Sequence, residues 1–440
     1  MKRLIFSRLL SWKHDADRKP LILRGARQTG KTWSITDFGQ RCFEGFFHKI
    51  DFEKHPDWHQ VFDKNLDPVR ILSELELLLN APITPGKDLL FFDEIQNCPA
   101  ALMALRYFYE EMPDLHVIAA GSLLEFALSD IAFPVGRVRM MDMHPLTFTE
   151  FLEATNQKRL ASLLDEPLHH PGDSVHARLL DELRSYFFIG GMPECVASYA
   201  KTGSIRNTFE IKAALIDTFR EDFAKYTPSV NIQCLNAVLL SVSRAVSKQI
   251  KYSRLAEGYS VPTIKKAFNL LEQARLIKSV HSINPPQIPF GAAVSPKIFK
   301  AVMLDIGLMQ QLCDLPLNID TQQKDLLSIY EGAMAEQFAG QAFSAAGHQL
   351  YYWSRQAKSS SAEVDFLISG QGQVIPVEVK SGPAGKLRSM HQFLAEAPHS
   401  PGGIVLSTAP YSPLPGQKLT FVPLYYAEKI SSEFLFIQRD

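Results

Sequence analysis

Residues 25–32 of this chain read Gly-Ala-Arg-Gln-Thr-Gly-Lys-Thr, which is the G-x-x-x-x-G-K-[ST] spacing of a phosphate-binding loop. The apolar run Leu21–Leu23 lies just before the loop, and Trp33–Phe38 after it has a helical pattern. A buried strand that enters such a loop, and a helix that leaves it, direct backbone N–H groups and the positive helix end at an anion. We therefore expect a nucleoside triphosphate to bind here.

The loop residues have distinct expected roles. Lys31 is expected to reach the β- and γ-phosphates, and the Thr32 hydroxyl is expected to bind Mg²⁺. ATP and Mg²⁺ are therefore the expected ligands. The alternative is a chance glycine-rich turn, which is disfavoured because strand, loop and helix occur together. The residues expected to contact the nucleotide are Gly25, Ala26, Arg27, Gln28, Thr29, Gly30, Lys31 and Thr32.

Further polar residues follow two other apolar runs. Asp93 and Glu94 end the run Leu89–Phe92, and ligands bind at the carboxyl ends of buried parallel strands. Asp93 is expected to complete the Mg²⁺ coordination, and Glu94 is expected to orient and polarise the attacking water. Ser122 follows the run His116–Ala120 and is expected to contact the γ-phosphate or this water. The alternative for Asp93 and Glu94 is a pair of solvated carboxylates.

Arg137, in the segment Gly136-Arg137-Val138-Arg139, is a candidate for stabilising negative charge in the transition state. It would act on the site of its own subunit or on that of a neighbour. An ordinary surface arginine is an equally weighted alternative.

The pattern of elements is α/β in the first third of the chain. Short apolar runs alternate with helical patterns from Leu21 to about Glu150, which is typical of βαβ units and a parallel sheet. From Phe151 to Pro228 the pattern is helical, apart from a polar loop at Glu166–Asp173. The predicted strands of the first third are 21–23, 48–51, 89–92 and 117–120.

Five segments resemble, in the same order, a bacterial and archaeal group of AAA+ ATPases that typically carry a C-terminal domain of unknown function. The resemblance implies that Ser122 is the sensor at the end of the fourth core strand. It also implies that Gly136–Arg137 opens a segment leading to Pro145–Phe148. The segments are GARQTGKT, LLFFDEIQNCP, AAGSLLEF, VGRVRMMDMHPLTFTEFL and YFFIGGMPECV.

The middle of the chain contains a candidate winged helix. Tyr252–Ala256 and Ser260–Leu271 are predicted as two helices, with Ser260 as the N-cap of the second. Leu276–Val280 and Lys297–Met303 are predicted as the wing strands. Helical spacing turns one face of the second helix to the core and leaves Thr263, Lys265 and Lys266 to meet DNA. A packing or dimerisation module is the alternative.

Acidic residues near the C-terminus suggest a second metal site. Asp365 and Glu378 lie on two runs that read as a hairpin, strand alternation places Lys380 on the face of Glu378, and Glu336 lies in an upstream helical pattern. Carboxylates that bind Mg²⁺, with a lysine to position water, suit phosphodiester hydrolysis. The spacing resembles the PD-(D/E)XK restriction-endonuclease-like fold. An ordinary surface ion pair across a hairpin is the alternative.

The composition limits the partners and the location that we expect for the protein. A net charge of −1 excludes a global basic field, so any nucleic-acid surface must be a local patch. The five cysteines show no C-x-x-C spacing, and no stretch of eighteen apolar residues occurs. We therefore expect a cytoplasmic protein with no membrane span, with ATP and DNA as partners and with copies of itself as a further partner.

The expected architecture is a multi-domain α/β protein whose nucleotide cycle controls its C-terminal half. The alternative is a nucleotide-dependent switch or scaffold whose nuclease-like domain is catalytically silent and binds protein. The predicted domains are a P-loop AAA+-like parallel-sheet domain at 1–155, a helical lid at 156–230, a winged helix at 231–325 and an α/β restriction-endonuclease-like domain at 326–440.

Overall fold

The computed structural model divides the chain into two units. The N-terminal unit comprises Lys2–His144 and Gln273–Arg275, and the C-terminal unit comprises Pro145–Glu272 and Leu276–Asp440. The residues that the structure describes are 3–122, 124–128, 136–226, 231–313, 331–357, 360–370, 372–382 and 387–430.

A five-stranded, entirely parallel sheet forms the centre of the N-terminal unit, with strand order β2-β3-β4-β1-β5. Its strands are β1 (Leu21–Arg24), β2 (Phe47–Asp51), β3 (Leu89–Asp93), β4 (His116–Gly121) and β5 (Arg139–Asp142). Its helices are α1 (Ile5–Lys13), α2 (Lys31–Cys42), α3 (Gln60–Asp63), α4 (Pro68–Leu79), α5 (Pro99–Glu111) and α6 (Leu124–Leu128).

The alternation of side chains along β3 explains why this sheet is covered on both faces. Leu89 and Phe91 pack in the cluster that contains residues of α1 and α2, whereas Leu90 and Phe92 pack with residues of α4 and α5. All four side chains are fully buried, and each such burial is worth about 2 kcal/mol. An apolar run without alternation is therefore the correct sequence signal for a strand buried on both faces.

The four strands predicted in this part of the chain are confirmed. The fifth strand, β5, was not predicted, because it is short and begins with the exposed Arg139. It pairs with β1, and Arg24 lies opposite Asp142 in their register. Because all five strands are parallel, the residues that follow β1, β3 and β4 meet at one edge of the sheet.

The C-terminal unit contains one mixed eight-stranded sheet, in the order β12-β13-β11-β10-β9-β8-β6-β7. Its strands are β6 (Ile277–Ile283), β7 (Val294–Met303), β8 (Tyr351–Ala357), β9 (Ser360–Gly370), β10 (Gln373–Val379), β11 (Gly403–Ser407), β12 (Ser412–Leu414) and β13 (Leu419–Pro423). Its helices are α7 (Phe148–Ala154), α8 (Lys158–Leu164), α9 (Asp173–Ile189), α10 (Pro193–Thr202), α11 (Ile205–Tyr226), α12 (Ile232–Arg244), α13 (Val261–Gln273), α14 (Ile306–Leu312), α15 (Glu331–Ala345) and α16 (Arg388–Glu396).

One predicted helix is absent from the region predicted as a winged helix. The prediction of a first helix over Tyr252–Ala256 is wrong, because the segment forms a single 3₁₀ turn at Tyr252–Arg254. The segment is too short to complete two helical turns before Gly258. The second helix is present as α13, and the Ser260 hydroxyl accepts a hydrogen bond from the N–H of Thr263 at 3.4 Å.

The two predicted wing strands correspond to β6 and β7, which pair antiparallel. Strand β6 also pairs in parallel with β8, so the same sheet continues into the C-terminal hairpin. In that hairpin β9 and β10 pair antiparallel, as the sequence predicted, and the register places Phe366 opposite Val377.

Helix α15 lies close to both β7 and β9. A Cβ atom at Gly340 would lie 2.7 Å from Val302 Cγ1 on β7 and 3.2 Å from Phe366 Cζ on β9, so only glycine permits this approach. The Gln337 side chain fixes the helix further, because it exchanges two hydrogen bonds of 2.8 Å with the backbone of Met303. These contacts place Glu336 of α15 beside β7 and β9.

Candidate functional site

The phosphate-binding loop connects β1 to α2 in the N-terminal unit. Lys31, the first residue of α2, is buried, and its Nζ donates hydrogen bonds to the carbonyl oxygens of Gly25 and Ala26, both at 2.9 Å. Burial lowers the pKa of Lys31 to about 8, although the charges of Glu94 and Asp93 act in the opposite direction. The ammonium group thus lies within the loop, where the motif predicts it.

Arg3 supports the loop from outside the motif. Its guanidinium donates to the carbonyl oxygen of Thr29 at 3.0 Å and to that of His144 at 2.7 Å. The Thr29 hydroxyl in turn donates to the carbonyl oxygen of Ala26 at 2.9 Å. No sequence signal identified Arg3, because an arginine near the start of a chain has no pattern that indicates burial.

Thr32 and Asp93 lie together at the carboxyl edge of the sheet. The Thr32 hydroxyl donates to Asp93 Oδ1 at 3.1 Å, and Lys49 Nζ donates to Asp93 Oδ2 at 2.8 Å. Burial raises the pKa of Asp93, and Lys49 opposes this increase. A hydroxyl and a carboxylate oxygen at this separation are the donor types that Mg²⁺ prefers, so these residues fit the expected ion. The sequence reasoning missed Lys49, which lies on β2.

Glu94 is held in a defined position next to this pair. Its backbone adopts the left-handed conformation, with φ 50° and ψ 45°. Its Oε2 accepts hydrogen bonds from Gln96 Nε2 at 2.6 Å and from the Ser122 hydroxyl at 3.4 Å. Gly121 allows the approach of Gln96, since a Cβ there would lie 2.1 Å from Gln96 Oε1. Ser122 therefore contacts the carboxylate that was predicted to activate water.

A network of two arginines and two carboxylates lies near the end of β1. Arg24 Nε is 2.6 Å from Asp142 Oδ1, and Arg24 Nη1 is 3.1 Å from Glu125 Oε1. Arg275, which belongs to the same unit, contacts both Glu125 at 2.8 Å and Asp142 at 3.0 Å. Burial raises the pKa of Asp142, but Arg275 and Arg24 outweigh it and the net pKa is lowered. The sequence reasoning identified none of these four residues.

Arg137 lies near the end of the sheet where the parallel strands begin, opposite the end that carries the phosphate-binding loop. It precedes β5, whose Arg139 is in register with Leu21 at the start of β1, whereas the phosphate-binding loop follows the end of β1. Its guanidinium is exposed and pairs with Glu110 at 2.7 Å. The structure therefore does not bring Arg137 to the phosphate-binding loop of its own chain.

The acidic residues of the C-terminal unit surround a lysine of β7. Lys300 is 2% exposed, and its Nζ lies 2.9 Å from Glu336 Oε1, 2.5 Å from Glu363 Oε1 and 3.6 Å from Asp365 Oδ1. Burial alone would lower the pKa of Lys300, but Glu336, Asp365 and Glu363 outweigh it and raise the net pKa. The sequence reasoning missed both Lys300 and Glu363.

The predicted residues Glu378 and Lys380 form a neighbouring ion pair. Lys380 Nζ is 2.5 Å from Glu378 Oε1, and Asp365 Oδ2 accepts the N–H of Val379 at 2.8 Å. Burial, with the neighbouring charge of Asp365, raises the pKa of Glu378 to about 7. Within the described part of the chain, no group of three or more His, Cys, Asp or Glu side chains is arranged to hold a metal ion. The three predicted metal ligands of this unit instead contact lysines or a backbone N–H: Glu336 and Asp365 lie beside Lys300, Asp365 also accepts the N–H of Val379, and Glu378 pairs with Lys380.

Three family models match separate parts of the chain. Residues 17–152 match an AAA domain, residues 180–323 match a domain of unknown function (DUF8612), and residues 331–426 match another domain of unknown function (DUF4143). No curated protein matches the chain. The match at residues 17–152 agrees with the AAA-type domain predicted for this part of the chain.

Several solved structures are similar over most of their length. The Walker-type ATPase PABY2304 of Pyrococcus abyssi is 16% identical, with 71% of this chain and 95% of that chain covered and a TM-score of 0.46. RuvB, the Holliday junction branch migration motor of Thermotoga maritima, is 16% identical, with 63% and 89% covered and a TM-score of 0.31. ORC1 of Aeropyrum pernix, solved with DNA, is 12% identical, with 72% and 94% covered and a TM-score of 0.27. No described helix is long and apolar enough to cross a membrane.

Proposed function

We propose that this protein hydrolyses ATP in its N-terminal unit and uses the nucleotide cycle to control its C-terminal unit. The contact between Thr32 and Asp93 carries the first part of this proposal, because it joins the loop that binds phosphate to the strand end that supplies acidic groups. Glu94 follows Asp93 directly and is held by Gln96 and Ser122. Together these residues provide binding and water activation at one edge of the sheet.

The residues divide the reaction between them. Lys31 would exchange its loop carbonyl partners for the β- and γ-phosphates, and Thr32 and Asp93 would hold Mg²⁺, which would neutralise charge on the phosphates. Glu94 accepts a hydrogen bond from the attacking water and orients it toward the γ-phosphorus. Ser122 and Gln96 keep the Glu94 carboxylate turned toward this position. Hydrolysis yields ADP and inorganic phosphate.

A lysine substitution tests the nucleotide site. We expect Lys31→Ala to abolish ATP binding, as measured by titration with a fluorescent ATP analogue and by ATP turnover. The matched control is Lys54→Ala, which removes an exposed lysine of the same unit and should leave both measurements unchanged. Unchanged binding in Lys31→Ala would remove the assignment of the site.

DNA is the proposed partner of the C-terminal unit. On α13 the side chains of Ile264, Phe268 and Leu271 are buried, while Lys265 and Lys266 are exposed, as the helical spacing predicted. Exposed lysines on such a helix suit contacts with DNA phosphates. The remaining candidate is a switch whose C-terminal unit binds protein. A restriction-endonuclease-like domain and a homo-oligomeric assembly remain part of the proposal.

The DNA proposal is tested by ATP turnover with and without duplex DNA across a salt series. We expect DNA to stimulate turnover at low salt, and we expect Lys265→Ala with Lys266→Ala to weaken binding and reduce its salt dependence. The control is Lys158→Ala with Lys201→Ala, which removes two exposed lysines elsewhere in the unit. If DNA neither binds the protein nor stimulates ATP turnover at low salt, the result favours the protein-binding switch.

A further inference from the structure

Lys300 is an unusual lysine, because its charged group is buried away from water. Its side chain is 2% exposed, and the closest partners of its ammonium group are carboxylates from α15 and β9, namely Glu336, Glu363 and Asp365. The ring of Tyr352 on β8 lies at 5.1 Å from Nζ to its centroid, a distance at which an aromatic ring attracts a cation. Groups from three elements thus converge on one positive charge.

We infer that Lys300 is the resident cation of this acidic cluster, so that the C-terminal unit takes up no divalent metal ion there. The cluster is the place where the sequence predicts Mg²⁺, and Lys300 occupies it. This inference is independent of ATP hydrolysis in the N-terminal unit. It favours a C-terminal unit that binds a partner over one that cleaves nucleic acid.

The geometry of the donors supports this assignment. An ammonium group has three N–H donors, and the Glu336 and Glu363 oxygens lie within hydrogen-bond distance, with Asp365 at 3.6 Å. A Mg²⁺ ion would need to approach the same oxygens to about 2.1 Å. The ion and the ammonium group therefore compete for one volume.

The burial of Lys300 favours the ammonium group over a metal ion in this volume. A solvent-exposed lysine can swing into water when a metal ion arrives, but the Lys300 side chain is 2% exposed and lies on a strand covered by α15. Displacement would leave an ammonium group buried beside a divalent cation, with its carboxylate partners lost. The third predicted metal ligand, Glu378, is paired with Lys380 instead.

The cluster also links elements that lie far apart in the sequence. Lys300 belongs to the segment that matches DUF8612, whereas Glu336, Glu363 and Asp365 belong to the segment that matches DUF4143. Its ion pairs therefore connect the two matched segments, because they join β7 to α15 and to β9. An internal cation balances the charge of these acidic side chains without a metal ion.

The test measures Mn²⁺ binding by electron paramagnetic resonance in the full chain without nucleotide. Asp93→Asn is present in every protein, so that the N-terminal unit contributes no metal ligand from that strand. With Lys300 intact we expect no saturable Mn²⁺ binding below about 1 mM. Lys300→Met is expected to create a Mn²⁺ site at least about tenfold tighter, and Lys300→Arg, which keeps the charge, is not.

Two results would overturn the inference. One is submillimolar Mn²⁺ binding to the protein with Lys300 intact, lost on Asp365→Asn. The other is a folded Lys300→Met protein that gains no Mn²⁺ site. If Lys300→Met does not fold, the measurement on the protein with Lys300 intact decides alone. ATP turnover is not part of the readout, so failure here leaves the proposed ATPase function untouched.

Discussion

The position of Glu94 depends on residues that do not themselves contact phosphate. Its Oε2 is held by Gln96 Nε2 at 2.6 Å and by Ser122 at 3.4 Å, while its backbone adopts the left-handed conformation. A residue other than glycine in this conformation is strained, and such strain clusters at functional sites. We interpret the arrangement as a carboxylate fixed in direction before the nucleotide arrives.

Gln96→Ala tests this interpretation. Removal of the amide leaves Glu94 with one weaker partner, so we expect kcat for ATP to fall by about tenfold while KM changes little. The measurement is steady-state ATP turnover, with Gln60→Ala on the exposed face of α3 as the control. An equal kcat for Gln96→Ala and the control would show that Gln96 does not position Glu94.

At the scale of residues, the sequence was informative only where spacing carries meaning. Lys31, Thr32, Asp93 and Glu94 could be predicted because a motif and two strand ends fix their places. Gln96 and Lys49 act through contacts with these residues, and no spacing identifies them. Lys300 could not be found either, because its partners are 36 to 65 residues away in the chain.

Among the elements, short apolar runs predicted secondary structure correctly, and short polar segments did not. The runs that became β1, β3 and β4 are buried on both faces, so their composition alone indicated strands, whereas β2 is buried only at alternate positions. The strand β5 has one buried residue among four and was missed for that reason. The helix expected at Tyr252–Ala256 failed because local propensity cannot stabilise five residues without packing.

The start of α7 illustrates how a buried carboxylate serves an element. Thr147 and Glu150 form a capping box, and Glu428 Oε1 accepts the N–H of Thr149 at 3.0 Å. Burial raises the pKa of Glu428 to about 7, although a hydrogen bond from Thr147 opposes this. The folded state therefore holds a proton on Glu428 that the unfolded state releases near its ordinary pKa of 4.5.

Glu428 makes the stability of the C-terminal unit depend on pH. Between pH 4.5 and 7 the folded state binds more protons, so this group lowers the free energy of unfolding as pH rises, and its effect is constant above pH 7. Glu428→Gln should remove this dependence and stabilise the C-terminal unit at pH 8 by at most about 3 kcal/mol. Denaturant unfolding at pH 5 and pH 8 measures it, with the exposed Glu257→Gln as control. Equal or lower stability of Glu428→Gln at pH 8 would contradict the account.

For the whole molecule, the placement of Arg137 bears on assembly. It precedes β5 at the edge of the sheet opposite the phosphate-binding loop, and it pairs with Glu110 on the surface. The four residues of β1, Leu21–Arg24, span about 10 Å from the first Cα to the last, which adds to the distance between Arg137 and the loop. Any catalytic contribution of Arg137 is therefore expected at the site of a second copy.

Mixing two inactive variants tests this expectation. Arg137→Ala keeps an intact nucleotide site, and Glu94→Gln keeps Arg137, so each alone should turn over ATP slowly. A mixture should exceed the sum of the separate rates, because an intact site then meets an intact arginine. The control is a mixture of Glu94→Gln with Lys31→Ala, in which no subunit has an intact site. Rates that only add would show that Arg137 does not act on a second copy.

The central claim is that Glu94 activates water at the nucleotide site of the N-terminal unit. The most direct test compares ATP binding and ATP turnover in Glu94→Gln, with the exposed Glu53→Gln as the matched control. We predict that Glu94→Gln binds ATP about as tightly as the unmodified protein and hydrolyses it at least about 100-fold more slowly. Turnover of Glu94→Gln at the rate of the control would contradict the claim.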